Sequence, residues 1–176
     1  DFENAGVIVA PSASCTGFIK NYYQKVFADD SEMLSKVTEI QPRIFEFSEF
    51  MIEILKVDNV GASLKGKATY HDSCAGLREC KIKEEPRKLL AKVKGLEINE
   101  TNDVETCCGF GGTFAVKFAA ISIGMGKQKV DNALDTGAEY LISTDHSCLM
   151  HLAGYIKQKG YNLKTMHLAD VLASGW

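Results

Sequence analysis

The chain has 176 residues, 45% hydrophobic and 24% charged, enough to bury a core without disulfide staples and ordinary for a globular protein. Its net charge of −3 gives no field for capturing nucleic acid or acidic membranes. No apolar run approaches the roughly 20 residues needed to span a bilayer and no charged-then-apolar signal segment opens the chain, so a cytoplasmic protein without nucleic-acid partners or direct membrane insertion is expected.

Residues 1–4 run almost directly into an apolar stretch, 6–10, so the chain is expected to begin mid-fold. That continuous apolar run reads as a buried parallel strand. Residues 11–15 form a turn, and 16–27 a helix with Phe18, Ile19, Tyr22, Tyr23 and Val26 at helical spacing. A second helix is predicted from about Asp30, covering Met33, Leu34 and Val37. A third starts at a Ser48 N-cap, with Phe47 stapled onto Ile52, and runs to about Lys56. Residues 66–71 read as a strand that delivers Cys74 at its exit. Pro86 sits at a first helical position, Leu89, Leu90 and Val93 form that helix's apolar stripe, and Gly95 stops it. Residues 96–98 are a weak strand.

The segment 113–135 is predicted as one kinked or two short helices, with Gly124 and Gly126 near the break and Gly137 at the end. Strand 140–143, helix 148–158, strand 163–166 and helix 167–173 complete the chain. Strands alternating with helices predict βαβ units, hence an α/β fold with a small parallel sheet flanked by helices. An internal repeat adds to this. Residues 7–15 lay over 140–148 at an offset of 133, both ending Ser-Cys, and Tyr22 falls on Tyr155. Both units read strand, short turn, Ser-Cys, helix. The reading is a duplication with the first copy truncated: 1–28 the tail of a first unit, 29–65 connecting helices, 66–176 a complete second unit.

The six cysteines are too few for a disulfide scaffold, and grouped cysteines in a reducing compartment point to metal or redox chemistry. Cys74 lies 32 intervening residues before the vicinal pair Cys107-Cys108, and Cys148 lies 39 after it. Cys74 and Cys148 each follow a predicted strand, so both belong at the carboxyl edge of the sheet, where ligands gather in parallel α/β folds. Cys148 also opens a helix, whose N-terminal dipole favours a thiolate. Four thiolates on one point suit an iron–sulfur cluster or a tetrahedral zinc. Structural zinc sites usually use Cys-x-x-Cys knuckles, which this chain lacks. The bland alternative is a set of buried structural cysteines, but core cysteines do not usually sit on polar turns. Gly109, Gly111 and Gly112 allow close backbone approach, and their N–H groups could face cluster sulfides.

A cysteine nucleophile with a histidine base is a third reading, weakened because adjacent strand residues face opposite ways. His71 reads as a turn residue or a hydrogen-bond donor to the site, and His151 as a donor or a satisfied polar residue. Asp145 reads as a turn-former or an oxygen ligand. The Gly109-Phe110-Gly111-Gly112 run is only half a dinucleotide fingerprint, since Phe114 stands at the third glycine position. Cys80 reads as incidental, and Cys15 as the last ligand of the first unit.

The Cys…Cys-Cys-Gly…Cys pattern resembles the cysteine-rich CCG domain. That domain occurs, usually in two copies, in heterodisulfide reductases, glycolate oxidase iron–sulfur proteins and lactate utilization protein A. The stretches 71–74, 84–90, 107–117, 147–150 and 11–15 look most like the lactate utilization branch, and the likeness covers essentially the whole chain. The resemblance implies an electron-transfer component rather than a complete enzyme, with no catalytic acid or base. It would work with other iron–sulfur subunits in oxidising L-lactate or a related 2-hydroxy acid. It carries Cys74, Cys107, Cys108 and Cys148 over as ligands of an iron–sulfur cluster, a [4Fe–4S] centre, with zinc as the alternative. Where heterodisulfide reductase relatives have Cys-x-x-Cys, Asp145 stands for the first thiol, as Ser12 does in the first copy, which argues against a five-cysteine cluster. A structural zinc-binding interaction module and a thiol/disulfide oxidoreductase remain as rival functions.

Overall fold

The computed structural model describes residues 2–175. Its centre is a four-stranded, all-parallel sheet in the order β4-β3-β5-β6, with β3 at Ser63–Tyr70, β4 at Lys94–Ile98, β5 at Tyr140–Ser143 and β6 at Lys164–His167. The period-two alternation of strand side chains divides the core between the two faces. Ala68, Tyr70 and Ile142 pack with Leu89 and Leu90 of α4 (Glu84–Leu90) and with Leu168, Val171 and Leu172 of α8 (Leu168–Leu172). Leu141 points the other way, onto Val130 and Ala133 of α6 (Ala119–Asp135) and Leu152 and Ile156 of α7 (His146–Lys159). The chain leaves β3 for β4 on one side and returns to β5 on the other, so β3 and β5 flank a topological switch point. The carboxyl ends of strands around such a point form a ready crevice.

Residues ahead of β3 build a smaller lobe. The strand β1 (Ile8–Ala10) pairs in parallel with β2 (Ile44–Glu46) in a separate two-stranded sheet. It is not the buried strand its apolar run predicts: Val7 and Val9 are 43% and 37% exposed. The reason is one-sided cover. Ile8 faces an apolar cavity lined by Ile19 and Tyr23 of α1 (Ala13–Val26) and by Val37 and Ile40 of α2 (Ser31–Ile40), leaving its neighbours outward.

Other boundaries shift for identifiable reasons. The helix α3 (Phe47–Glu49), continued by a π-helical segment Phe50–Ile54, is capped by Glu46, not Ser48. Glu46 Oε2 accepts from the backbone N–H of Ser48 and Glu49, and Glu49 Oε2 accepts back from Glu46 N at 3.1 Å, a reciprocal capping box. The helix α4 ends at Leu90, four residues before β4, so Gly95 lies inside that strand at φ 85° instead of stopping the helix. The break after α5 (Thr113–Lys117) falls at Phe118, not at Gly124 or Gly126, both of which lie inside α6. Gly126 is small for packing: a Cβ there would lie 3.1 Å from His151 Nε2.

Glu46 is completely buried, and its Oε1 has no partner. Burial pushes its carboxyl above the ordinary value of 4.5, outweighing the bonds from Ser48. A raised folded value means that the stability Glu46 contributes is complete below about pH 4.5 and is lost as pH rises through the raised value. Glu46→Gln is therefore expected to flatten the fall in unfolding free energy above pH 4.5, measured by urea titration at several pH values. An unchanged slope would count against Glu46 as its source.

Candidate metal centre

Three loops leave the carboxyl edge of the sheet side by side. The loop after β3 carries Cys74, the long loop after β4 carries Cys107 and Cys108, and the turn after β5 carries Cys148 into α7. All four cysteines, with Gly111 and Gly112, line one cleft of about 340 Å³, closed further by Ser14, Ser73, Phe110, Asp145 and Ser147. The sequence brings these side chains together as its strand-exit argument expects. Cys15 is exposed and Cys80 lies apart, its Sγ donating to the Ala13 carbonyl at 3.3 Å.

Each loop is fixed by its own device. Asp72 is buried and takes a two-pronged ion pair from Arg87 of α4, Nη1 to Oδ1 at 3.0 Å and Nη2 to Oδ2 at 2.7 Å. Arg87 also reaches Glu100 at 2.7 Å and lies 5.3 Å from the centre of the Tyr70 ring, so it clamps the Cys74 loop to the start of the Cys107 loop. Lys129 of α6 is buried, and its Nζ donates to the Asp103 and Val104 carbonyls at 2.7 and 2.8 Å, holding the backbone just before Cys107. At Gly109 (φ 91°), Ser122 Oγ donates to the backbone carbonyl at 2.7 Å, while the Gly109 N–H points to Cys107 Sγ at 3.4 Å.

Asp145 is the N-cap of α7, accepting from Ser147 N at 3.2 Å, and its second oxygen accepts from Ser14 N of α1 at 2.9 Å. This buried carboxylate thus bolts together the first turns of two helices. The turn-forming reading of Asp145 accounts for these bonds. Asp145→Ala would orphan both N–H groups and is expected to lower the unfolding free energy by about 1–3 kcal/mol, measured by chemical denaturation. A change within error would rule out the bolt.

The thiols act on one another. Cys107 is pulled far below the ordinary thiol value by hydrogen bonding from Cys108 and Cys74, helped by the Gly109 N–H. Cys74 and Cys108, the partners in those contacts, are pushed up. Contacts that lower one thiol at the expense of its neighbours favour a single thiolate in the group, and a metal would displace the remaining protons. His71 joins this group. The residue is 1% exposed, neither ring nitrogen has a partner among the described residues, and a ring nitrogen lies within 4.8 Å of the sulfurs of both Cys108 and Cys148. Burial, then the Lys129 charge, lowers its pKa to about 3, so the imidazole is neutral. By residue type and position alone His71 reads as a turn residue or donor. The signal that could have raised its standing is strand parity: from Tyr70 in one core face, the next residue must point into the other.

The donor set and the open cleft fit a metal ion or an iron–sulfur group. The fold and site define a protein of the cysteine-rich domain class, and the CCG cysteine-rich domain matches residues 68–153, which span all four cleft cysteines. The chain is 44% identical over 173 residues to lactate utilization protein A of Bacillus cytotoxicus and 45% identical to that of Bacillus thuringiensis, covering 98% of this chain and 72% of each relative. The chain belongs to the lactate utilization protein A family. A crystal structure of a hypothetical protein from Helicobacter pylori shares the fold, with a TM-score of 0.54 at 14% identity over 85% of this chain and 31% of that one. No helix among the described residues is long and apolar enough to cross a membrane.

Proposed function

We propose that the chain carries an iron–sulfur centre, a [4Fe–4S] cluster, held by Cys74, Cys107, Cys108 and Cys148. It would pass electrons within a multi-subunit system that oxidises L-lactate or a related 2-hydroxy acid in the cytoplasm. What carries the reading is the convergence of four thiols from three separate loops on one cleft. The name shared by the relatives supports the lactate context; other iron–sulfur subunits are proposed as its partners from the CCG-domain resemblance. When bound, the cluster would supply single-electron transfer. The chain's own residues hold and insulate it. Arg87 and Lys129 fix the ligand loops, the Gly109 N–H stabilises the Cys107 thiolate, and Gly111 and Gly112 keep the cleft wall free of side chains.

The arrangement also supports the duplication. Ser12 and Asp145 cap α1 and α7, and Cys15 and Cys148 each occupy the third position of their helix. On this proposal residues 66–176 are one full unit, joined by 29–65 to the tail of another at 1–28.

Anaerobic purification with iron, sulfide and zinc analysis tests the function. About four irons and four sulfides per chain, with a reducible EPR signal, are expected. Cys107→Ser and Cys148→Ser should abolish that loading, and Cys80→Ser should leave it intact. Full iron retention in the first two would remove the ligand assignment. A second reading, a structural zinc module, draws on the compact group of His71, Cys108 and Cys148. It calls for a colourless protein with one zinc and loss of fold on chelation.

A further inference from the structure

The side chain of His71 has no structural task inside the protein. Its backbone is locked, the N–H donating to the Ile142 carbonyl at 2.7 Å and the carbonyl accepting from Ser143 Oγ at 2.9 Å. The direction of the ring is therefore set by the β3–β5 pairing. Burying a polar group without a partner is costly, and His71 buries two atoms that have none among the described residues. The other histidines differ. His167 Nδ1 accepts from Ala169 N at 3.1 Å and leaves only Nε2 without a partner, His151 Nε2 lies 3.4 Å from Ser122 Oγ, and His146 is exposed at the start of α7.

What surrounds the ring gives the reason. A ring nitrogen and the Cys108 and Cys148 sulfurs lie within 4.8 Å of one another. Metal–sulfur and metal–nitrogen bonds of about 2.3 and 2.0 Å in a tetrahedral site put neighbouring ligand atoms roughly 3.5 Å apart. On a single ion the three atoms would close in around a shared metal by small side-chain adjustments, and on a cluster each would turn onto its own iron. We propose that His71 is a nitrogen ligand of the metal centre, taking the coordination position of Cys74 beside Cys107, Cys108 and Cys148. The proposal rests on the metal-binding reading above and changes its donor set from all-thiolate to mixed. Neutral imidazole in place of a thiolate removes one negative charge from the centre. Exchanging cysteine for histidine ligands raises the reduction potential of iron–sulfur centres, so this centre should be easier to reduce than an all-thiolate one.

The test uses the full chain, labelled with 15N-histidine, loaded anaerobically with iron and sulfide, and reduced for pulsed EPR. A strong hyperfine coupling that changes from the 14N to the 15N pattern on labelling is expected. It should persist in His151→Gln and vanish in His71→Cys, which should keep its iron and show a lower potential. Labelling of the native chain gives a result even if the His71 variant fails to fold. Full iron and sulfide loading without a histidine coupling, or a coupling that survives His71→Cys, would overturn the proposal while leaving the iron–sulfur reading standing. If zinc is the metal, cobalt(II) exchange replaces EPR. His71→Cys should then raise the thiolate-to-cobalt absorbance, and an unchanged spectrum would overturn the proposal. A chain that binds neither metal would remove the metal-binding reading, and His71 as a ligand with it.

Discussion

Arg87→Ala is expected to lower the unfolding free energy by about 3–5 kcal/mol, the range for breaking a buried ion pair from one side. Asp72 is 2% exposed, and its two oxygens take their charge compensation from this one guanidinium. Removing it strands a carboxylate in the interior and releases Glu100 and the face of Tyr70 together. Arg87→Lys should recover only part of the loss, because an ammonium cannot repeat the two parallel bonds. Asp72→Asn combined with Arg87→Ala should be milder than Arg87→Ala alone, since the stranded charge is gone. Denaturant midpoints of the three variants check this, and equal values for the single and double variants would show that the buried charge is not the source.

Gly109→Ala should be comparably damaging and should also empty the metal site. A Cβ there would sit 2.6 Å from the Ser122 carbonyl oxygen and 2.8 Å from Met125 Cβ, at a φ of 91°. The backbone strain is worth about 1–3 kcal/mol and the overpacking about 1–3 kcal/mol more. Relief requires the turn to lift off α6, carrying Cys107 and Cys108 with it. Gly137→Ala, away from the cleft, is the internal control. Its φ is 69°, but nothing among the described residues lies within 4 Å of the added carbon. It should show the strain alone and keep more of its metal. Metal content per chain and urea midpoints measure both, and identical outcomes would remove steric contact with α6 as the cause.

The α/β class and the shared edge of Cys74 and Cys148 were legible because strand periodicity and strand-exit position are local properties. The caps were partly legible: Asp145 reads as a turn-former from its type, but its bond to Ser14 spans 131 residues and has no local trace. The choice of Glu46 over Ser48 as a cap is by contrast local, and residue type misled it. Ser48 is the better capping residue by type, yet its own N–H is what Glu46 accepts. The strand β2 was missed because three residues beside a helix start leave too short a pattern, and the exposed side of β1 because an apolar run says nothing about which face a sheet leaves open. Lys129 looks like an ordinary surface lysine on a helix, and only the packing of α6 against the loop at 103–104 puts it inside.

The sheet order has a consequence for how the proposed metal would be loaded. Thr69 pairs with Leu141, and between them the chain must first lay down β4 and α6. Pairings between residues so far apart in sequence close late in folding, after the local helices and the β3–β4 unit. Until that closure Cys148 has no fixed position relative to Cys74, so an early intermediate presents the metal with at most part of its ligand set. On the proposed function, loading would then follow closure of the central strand pair, and a chain stalled before that step would be exposed to oxidation of unprotected thiols.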